Sequence, residues 1–251
     1  MSAPATAASR SVAEERTHRR QRLAAALRLF ARLGFDAGAG GHVTARDPGE
    51  PDTFWINPLG RHFGHVRVAD LLRVDEAGTV VEGTGTVNPA GYAIHSRVHR
   101  ARPDVVAVAH THSVHGQAFS ALGRPLAPIT QDACAFHGDH SVFAEFGGVV
   151  LDLDEGDRIA RCLGTGKAVV LQNHGLLTVG GTVEEAAWWF VSLDRCCRVQ
   201  LLAEAAGAPV PIPPDVASRT AEVMGSPGMG RLNFRPLYAD VVRTDPDLLD
   251  P

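Results

Sequence analysis

Apolar positions near the start of the chain recur with helical spacing. Between Ser11 and Leu33, the residues Leu23, Leu27, Phe30 and Ala31 share one face of a 3.6-residue helix, and Gly34 ends the pattern. Ser11 followed by Glu14 forms a capping box, in which each side chain satisfies a backbone N–H that the first turn leaves free. The stretch GFDAGAGGHVTARDP (Gly34 to Pro48) is glycine-dense and then strand-like, which predicts a loop whose backbone comes close to a ligand or a neighbouring strand. TFWINP (Thr53 to Pro58) predicts a strand ending at proline, followed by a loop, a short helix and a hairpin around Asp75 to Gly78.

From Pro89 to Arg102 the pattern is helical with Ile94 and Val98 inward, and Pro103 ends it. DVVAVAHTH (Asp104 to His112) is short and rich in β-branched residues, so it predicts a strand. AVVLQ (Ala168 to Gln172), Asn173-His174-Gly175 and LLTVGG predict a strand, a tight turn and a second strand. Thr182 with Glu185 opens the longest helix, which Gly207 caps. A proline-rich linker (PVPIPPD), a weaker helical segment and a tail from FRPLYADVV onward complete the chain. Strands interspersed with helices, without strict alternation, argue an α/β fold with a mixed sheet layered by helices. The expected organisation is a flexible tail over residues 1–10 and one domain over 11–251, a length sufficient for one core.

A formal charge of -4 supplies no basic surface, which excludes nucleic acid and anionic membrane as expected partners. The first 22 residues lack an apolar signal region and no later stretch is long enough to span a bilayer, so a cytoplasmic location is expected. Cys134, Cys162, Cys196 and Cys197 follow neither a disulfide framework nor CxxC spacing, which fits a reducing compartment. The unusual count is twelve histidines beside two tyrosines, Tyr92 and Tyr238. Histidine is the commonest metal ligand and the usual base near neutral pH, so position has to decide which of the twelve matter.

Alternation along a strand puts His110 and His112 on one side, with Val106 and Val108. Two imidazoles at i, i+2 can share one ion, but HxH at a strand end is a weak signal on its own and is more often just solvated. His174 offers a third ligand, because its turn can aim it over the sheet edge; on pattern alone it is equally a solvent-exposed turn residue. Arg61 and His62 after Gly60, with His65, either reach a substrate carboxylate or lie on the surface. His95 and His99, one helical turn apart, are either a second metal pair or a capping or solvent-facing pair. His115 lies just beyond the HTH strand, where it can support a ligand, and Gln131, Asp132, His137 and His140 fall in an expected loop.

These elements resemble the class II aldolase/adducin superfamily across nearly the whole chain. The motifs that carry the resemblance are GAGGHVTARDP, INPLG, NPAGYAIHSRVHRARPDVVAVAHTH and LQNHGLLTVGGTVEEAAWW. The resemblance implies a three-layer α/β/α fold with a central, mostly antiparallel sheet, assembly as a homotetramer with sites near subunit interfaces, and His110, His112 and His174 as ligands of one divalent ion.

Departures from the family pattern bear on the reaction. Where the sugar-phosphate aldolases carry two phosphate-binding serines and then an acid/base glutamate, this chain has Pro89, Ala90 and Gly91. Their GNxS loop reads Gly41-His42-Val43-Thr44, and a proton-donating tyrosine falls at Gln131. A phosphorylated substrate thus loses its charge-assisted hydrogen bonds, and enediolate chemistry loses its base. Three imidazoles without a carboxylate suit Fe(II) with a chelating substrate and dioxygen, and equally Zn(II) with water. This pattern is similar to a branch that contains the non-haem iron oxygenases of aminocoumarin pathways, which cleave an arylpyruvate oxidatively in two steps to a benzoate. The expected substrate is a small carboxylic acid, with His42, Asn57, Gly60, Arg61, Gly91 and Tyr92 as candidate contacts, His42 or Arg61 orienting the carboxylate, and Gln131, His115 and Tyr238 as candidates for a catalytic role that the pattern leaves unassigned. A redox-neutral zinc or manganese aldolase or decarboxylase and a non-catalytic scaffold resembling the adducin head are the alternatives.

Overall fold

The structure is a computed structural model that describes residues 10–250. Of the expected tail, residues 1–9 lie outside the described residues; Arg10 is exposed and pairs with Glu15. Helix α1 (Val12–Arg32) starts at the expected capping box: Ser11 Oγ accepts the Glu14 N–H at 3.3 Å, and the Glu14 carboxylate accepts the Ser11 N–H at 2.8 Å.

Eight strands form one sheet: β1 (His42–Arg46), β2 (Phe54–Ile56), β3 (Leu72–Val74), β4 (Val80–Glu82), β5 (Ala107–Thr111), β6 (His140–Phe143), β7 (Ala168–Leu171) and β8 (Gly175–Gly180). Their order is β4-β3-β2-β1-β5-β8-β7-β6, and every neighbouring pair is antiparallel except β6 with β7. Helices α2 (Pro89–Ala101) and α4 (Leu153–Leu163) cover one face. The other is covered by α1, α3 (Val114–Ser120), α5 (Val183–Ala206) and α7 (Pro227–Thr244), with α6 (Pro214–Met224) alongside. The mostly antiparallel α/β/α arrangement is the one expected.

Period-two alternation sorts the central strands between the two layers. Val43 and Ala45 of β1 and Ala107 and Ala109 of β5 enter the apolar core shared with α1 and α5. Val108 of β5 faces the opposite way, packing with Ala93, Ile94 and Val98 of α2. The expected tail is instead largely α7, despite Pro236 in its interior. A proline there costs about 3 kcal/mol. Burying Phe234 and Val241, each at about 1.5–3 kcal/mol, offsets that cost. Three elements, α3, β6 and α4, add to those expected. Among the described residues no helix is long and apolar enough to cross a membrane.

Candidate metal centre

The site is built at the junction of β5, β1 and the β7–β8 turn. His110 is on β5, buried, opposite His42 of β1 and opposite Leu177 of β8. His112 follows one residue past the strand end. His174 is aimed by its turn: Asn173 takes φ 59°, a left-handed conformation that asparagine tolerates better than most residues. At Gly175 a Cβ would stand 3.1 Å from the Thr111 carbonyl, so the bare residue lets the turn close against β5.

The structure brings the three imidazoles together, with ring centroids 4.7 Å (His110–His174), 5.0 Å (His112–His174) and 5.2 Å (His110–His112) apart. One ring nitrogen from each lies within 4.8 Å of the others, and among the described residues no carboxylate joins the group. His112 Nε2 and His174 Nε2 are 3.1 Å apart. Two nitrogens bound tetrahedrally at 2.0–2.1 Å stand about 3.3 Å apart, so this spacing fits one shared ion. His110 Nδ1 lies 2.8 Å from the Leu176 carbonyl, which can only accept, so the hydrogen sits on Nδ1 and Nε2 keeps a free lone pair. Burial lowers the pKa of all three, that of His174 to about 4 with help from His112. Neutral imidazole is the ligating form, and near neutral pH the donor set fits zinc or ferrous iron.

A second group of polar side chains adjoins the triad. The His42 ring lies 5.0 Å from that of His110, and its Nδ1 is 2.7 Å from His95 Nε2. At Gly91, near the start of α2, a Cβ would meet His42 Cδ2 at 2.7 Å and Cγ at 2.8 Å. The imidazole therefore occupies the space into which any larger side chain at position 91 would project. His95 and His99 form neither a second metal pair nor a solvent-facing one. Both are buried on the inner face of α2, and both meet the Thr44 hydroxyl. Thr44 escaped the sequence reading; its signal is the i, i+2 pairing with His42 on β1, facing an i, i+4 histidine pair on a helix.

The other expected contacts have partners of their own. Asn57 is buried, and its Oδ1 accepts the Val43 N–H at 3.1 Å, which ties the strand ends together. Gly60 and Arg61 line a groove of about 560 Å³ with Pro58, His62 and His65, and Arg61 pairs there with Asp70 at 3.0 Å. Tyr92 turns away from Gly91 and donates to the Glu76 carbonyl at the β3–β4 hairpin. His115 Nδ1 pairs with Asp194 at 3.1 Å beside a cavity of about 460 Å³ lined by Phe35, Trp188 and Arg198. Gln131 is exposed, its amide 3.8 Å from the Met224 sulfur. Tyr238 lies under the Arg22 guanidinium, 3.5 Å from ring centroid to Cζ, between α1 and α7. Gln131, His115 and Tyr238 thus each contact a residue of a different helix, α6, α5 and α1, rather than any of the three histidines.

Residues 21–201 match the family described as Class II Aldolase and Adducin N-terminal domain. Over 238 residues the chain is 52% identical to a protein of Streptomyces niveus named Decarboxylase NovR, covering 94% of this chain and 88% of that one. It is 51% identical over 238 residues to 4-hydroxy-3-prenylphenylpyruvate oxygenase/4-hydroxy-3-prenylbenzoate synthase of Streptomyces roseochromogenus subsp. oscitans, covering 94% and 86%. A solved structure named L-fuculose 1-phosphate aldolase, from Glaciozyma antarctica PI12, superposes with TM-score 0.89 at 42% identity, covering 99% of this chain and 97% of that one.

Proposed function

The chain belongs to the class II aldolase and adducin family, and we propose that within it the protein is a metal-dependent enzyme cleaving a carbon–carbon bond of a small unphosphorylated 2-keto or 2-hydroxy acid, with Fe(II) as the ion and dioxygen as the oxidant. The observation that carries this reading is the donor set. Three neutral imidazoles converge with no carboxylate among the described residues, and the His42 ring leaves no room at position 91 for a side chain that would bring one. Relatives half identical over nearly the whole chain are named as a decarboxylase and an oxygenase, which supports an enzyme and this reaction class.

His110, His112 and His174 would hold the ion through Nε2, with the Leu176 carbonyl fixing the His110 ring. When bound, the ion supplies a Lewis acid for the substrate's carboxylate and carbonyl oxygens and, as Fe(II), electrons for dioxygen. Pro89 and Ala90 at the start of α2 carry no hydroxyl, so a phosphate dianion finds no side-chain donors there. The burial of His42 and His110 keeps water from competing on the sheet side of the site.

Anaerobic reconstitution with Fe(II), followed by oxygen-electrode measurement against a panel of arylpyruvates, tests the reading. Oxygen uptake with release of carbon dioxide is the expected result; no uptake with any 2-keto acid overturns it. A redox-neutral zinc or manganese lyase is the second reading, favoured by the 42%-identical structure named as an aldolase. Turnover with Zn(II) under argon would select it. Assembly as a homotetramer belongs to the same proposal, and light scattering should return four times the mass of the chain.

A further inference from the structure

A cavity of about 460 Å³ opens between the end of α1, the start of α3, α5 and α7. The three histidines of the metal centre are not among the residues that line it. Its volume falls within the roughly 300–1,000 Å³ of small-molecule sites. One wall is a stripe of α5: Trp188, Val191, Arg195 and Arg198 recur at spacings of three, four and three residues, which puts them on one side of the helix. The stripe changes character along its length. Trp188 and Val191 come first, lining the cavity with Phe35 and Leu237, and the two arginines follow one and two turns later.

Neither guanidinium makes a hydrogen bond or an ion pair among the described residues, whereas Arg124 and Arg231 pair with acids of the same helix, Glu204 and Glu185. The carboxylate that lines the cavity, Asp194, is buried and already engaged by α3. Its Oδ2 lies 3.1 Å from His115 Nδ1, and its Oδ1 accepts the Gly116 N–H at 3.1 Å. A carboxylate only accepts, so His115 carries its hydrogen on Nδ1. With His115 neutral, two cations stand against one anion, and the surplus positive charge matches a monoanion. A guanidinium receives a carboxylate through two parallel N–H bonds, and the Trp188 and Phe35 rings suit an aromatic body. Arg195 stands about 10 Å along the helix axis from Trp188, a span suited to a ring joined to its carboxylate by a short chain.

We propose that this cavity is a second binding site, for an aromatic monocarboxylate, with Arg195 and Arg198 holding the carboxylate and Trp188 and Phe35 the ring. The site does not depend on the reaction read from the three histidines. A second copy of the chain is the competing occupant. In a twofold contact the patch would face itself and gather four arginines, which like-charge repulsion opposes.

Calorimetry on the whole Zn(II)-loaded protein tests the site, with 3-phenylpropionate as the probe because it lacks a 2-oxygen with which to chelate the ion. Saturable binding of one molecule per chain is expected. Replacing the acid by 3-phenylpropionamide, or both arginines by glutamine (Arg195→Gln with Arg198→Gln), should each weaken binding on the order of tenfold or more. His174→Ala should leave the affinity within about twofold, since the two sites share no residue. No saturable binding, equal affinity for acid and amide, an affinity that survives the double arginine variant, or one lost in His174→Ala overturns the proposal. Tighter binding of phenyl phosphate than of the acid overturns the choice of a carboxylate. A wild type that ignores the probe, together with a double variant of lower mass by light scattering, makes the face an interface between copies and overturns it too. Both arginines are exposed, so the variant should fold. If it does not, the acid–amide comparison and magnetisation transfer from the probe to the Trp188 ring decide alone, and transfer to other rings only counts against the site.

Discussion

On one side of β1 and β5, Val43, Ala45, Ala107 and Ala109 pack against α1 and α5 in an apolar core, while on the other side the intervening His42 and Thr44 meet α2, and His110 meets β8, through polar atoms. Both sides are buried, yet they are held differently. The apolar layer depends on volume and shape, and dispersion is shared over many neighbours. The polar layer depends instead on a few specific hydrogen bonds, and an orphaned buried donor or acceptor costs about 1–3 kcal/mol. The same strands thus carry a structural face and a chemical face, and damage to one should be separable from damage to the other.

The largest expected effect is on the apolar side. Phe190 of α5 is fully buried, with its ring 5.1 Å from that of Phe30 and 5.5 Å from that of Phe35. Phe190→Ala should lower the urea-unfolding free energy by about 3–5 kcal/mol. Metal affinity, read by competition with a chromophoric chelator, should stay within about threefold of wild type, as for distant sites that share no partners. A matching loss of metal affinity would break the separation. On the chemical side, His174→Ala should cost more than the roughly 100-fold in Zn(II) affinity that loss of a supporting partner produces. Its effect on metal-free stability should stay within about 0.5–1 kcal/mol, since the half-buried ring sits in a turn.

The same division explains what was legible in the sequence. Caps, periods and turns are local, so the helix at Ser11, the strand carrying His110 and His112 and the turn carrying His174 could all be read from neighbouring residues. The polar layer depends on non-local register. His42 faces His110 because β1 pairs antiparallel with β5 in one register, and a slip of one residue would put Val43 there instead. His95 and His99 point inward because α2 lies over β1, which no spacing within the helix reveals. Pro236 reads as a helix breaker until the burial of Phe234 and Val241 against other helices is known. Tyr92 illustrates the reverse: a phenol one residue from Gly91 invites a role at the site, but 100° of helical rotation sends it to the hairpin.

A smaller effect probes the boundary between chain conformation and the polar layer. In an open helix position Gly→Ala stabilises by about 1 kcal/mol. Gly91→Ala should do the opposite and destabilise by about 1–3 kcal/mol, because its Cβ meets the His42 ring at 2.7 Å with His95 and His110 behind it. A stabilised Gly91→Ala protein would mean that the ring can move aside and that the polar layer is looser than its hydrogen bonds imply.

The smallest effect separates the two faces by pH. Burial, with the Arg46 guanidinium adding to it, pushes the pKa of His99 from about 6.5 down to about 3. Once unfolded, His99 takes up a proton as pH falls through about 6.5, whereas the folded protein resists until about 3, so this residue's contribution to stability is full above 6.5 and declines below it. The decline is about 1.4 kcal/mol per pH unit for one such group. His99→Phe can keep the stack on Phe54, whose ring lies 5.3 Å away at 26°. At pH 7 it should lose about 1 kcal/mol with the Thr44 hydrogen bond. Arg46, Asp52, Glu76, Arg97 and Arg100 line the cavity beside His99 and are common to both proteins, so their own titration largely cancels in the difference. Between pH 6.5 and 5, the metal-free variant's unfolding free energy should then fall less steeply by about 1.4 kcal/mol per unit. Phe190→Ala, which touches no titrating group of the polar layer, should shift the whole curve down without changing its slope. Parallel curves for wild type and His99→Phe would show that acid sensitivity does not reside at this position of the polar face.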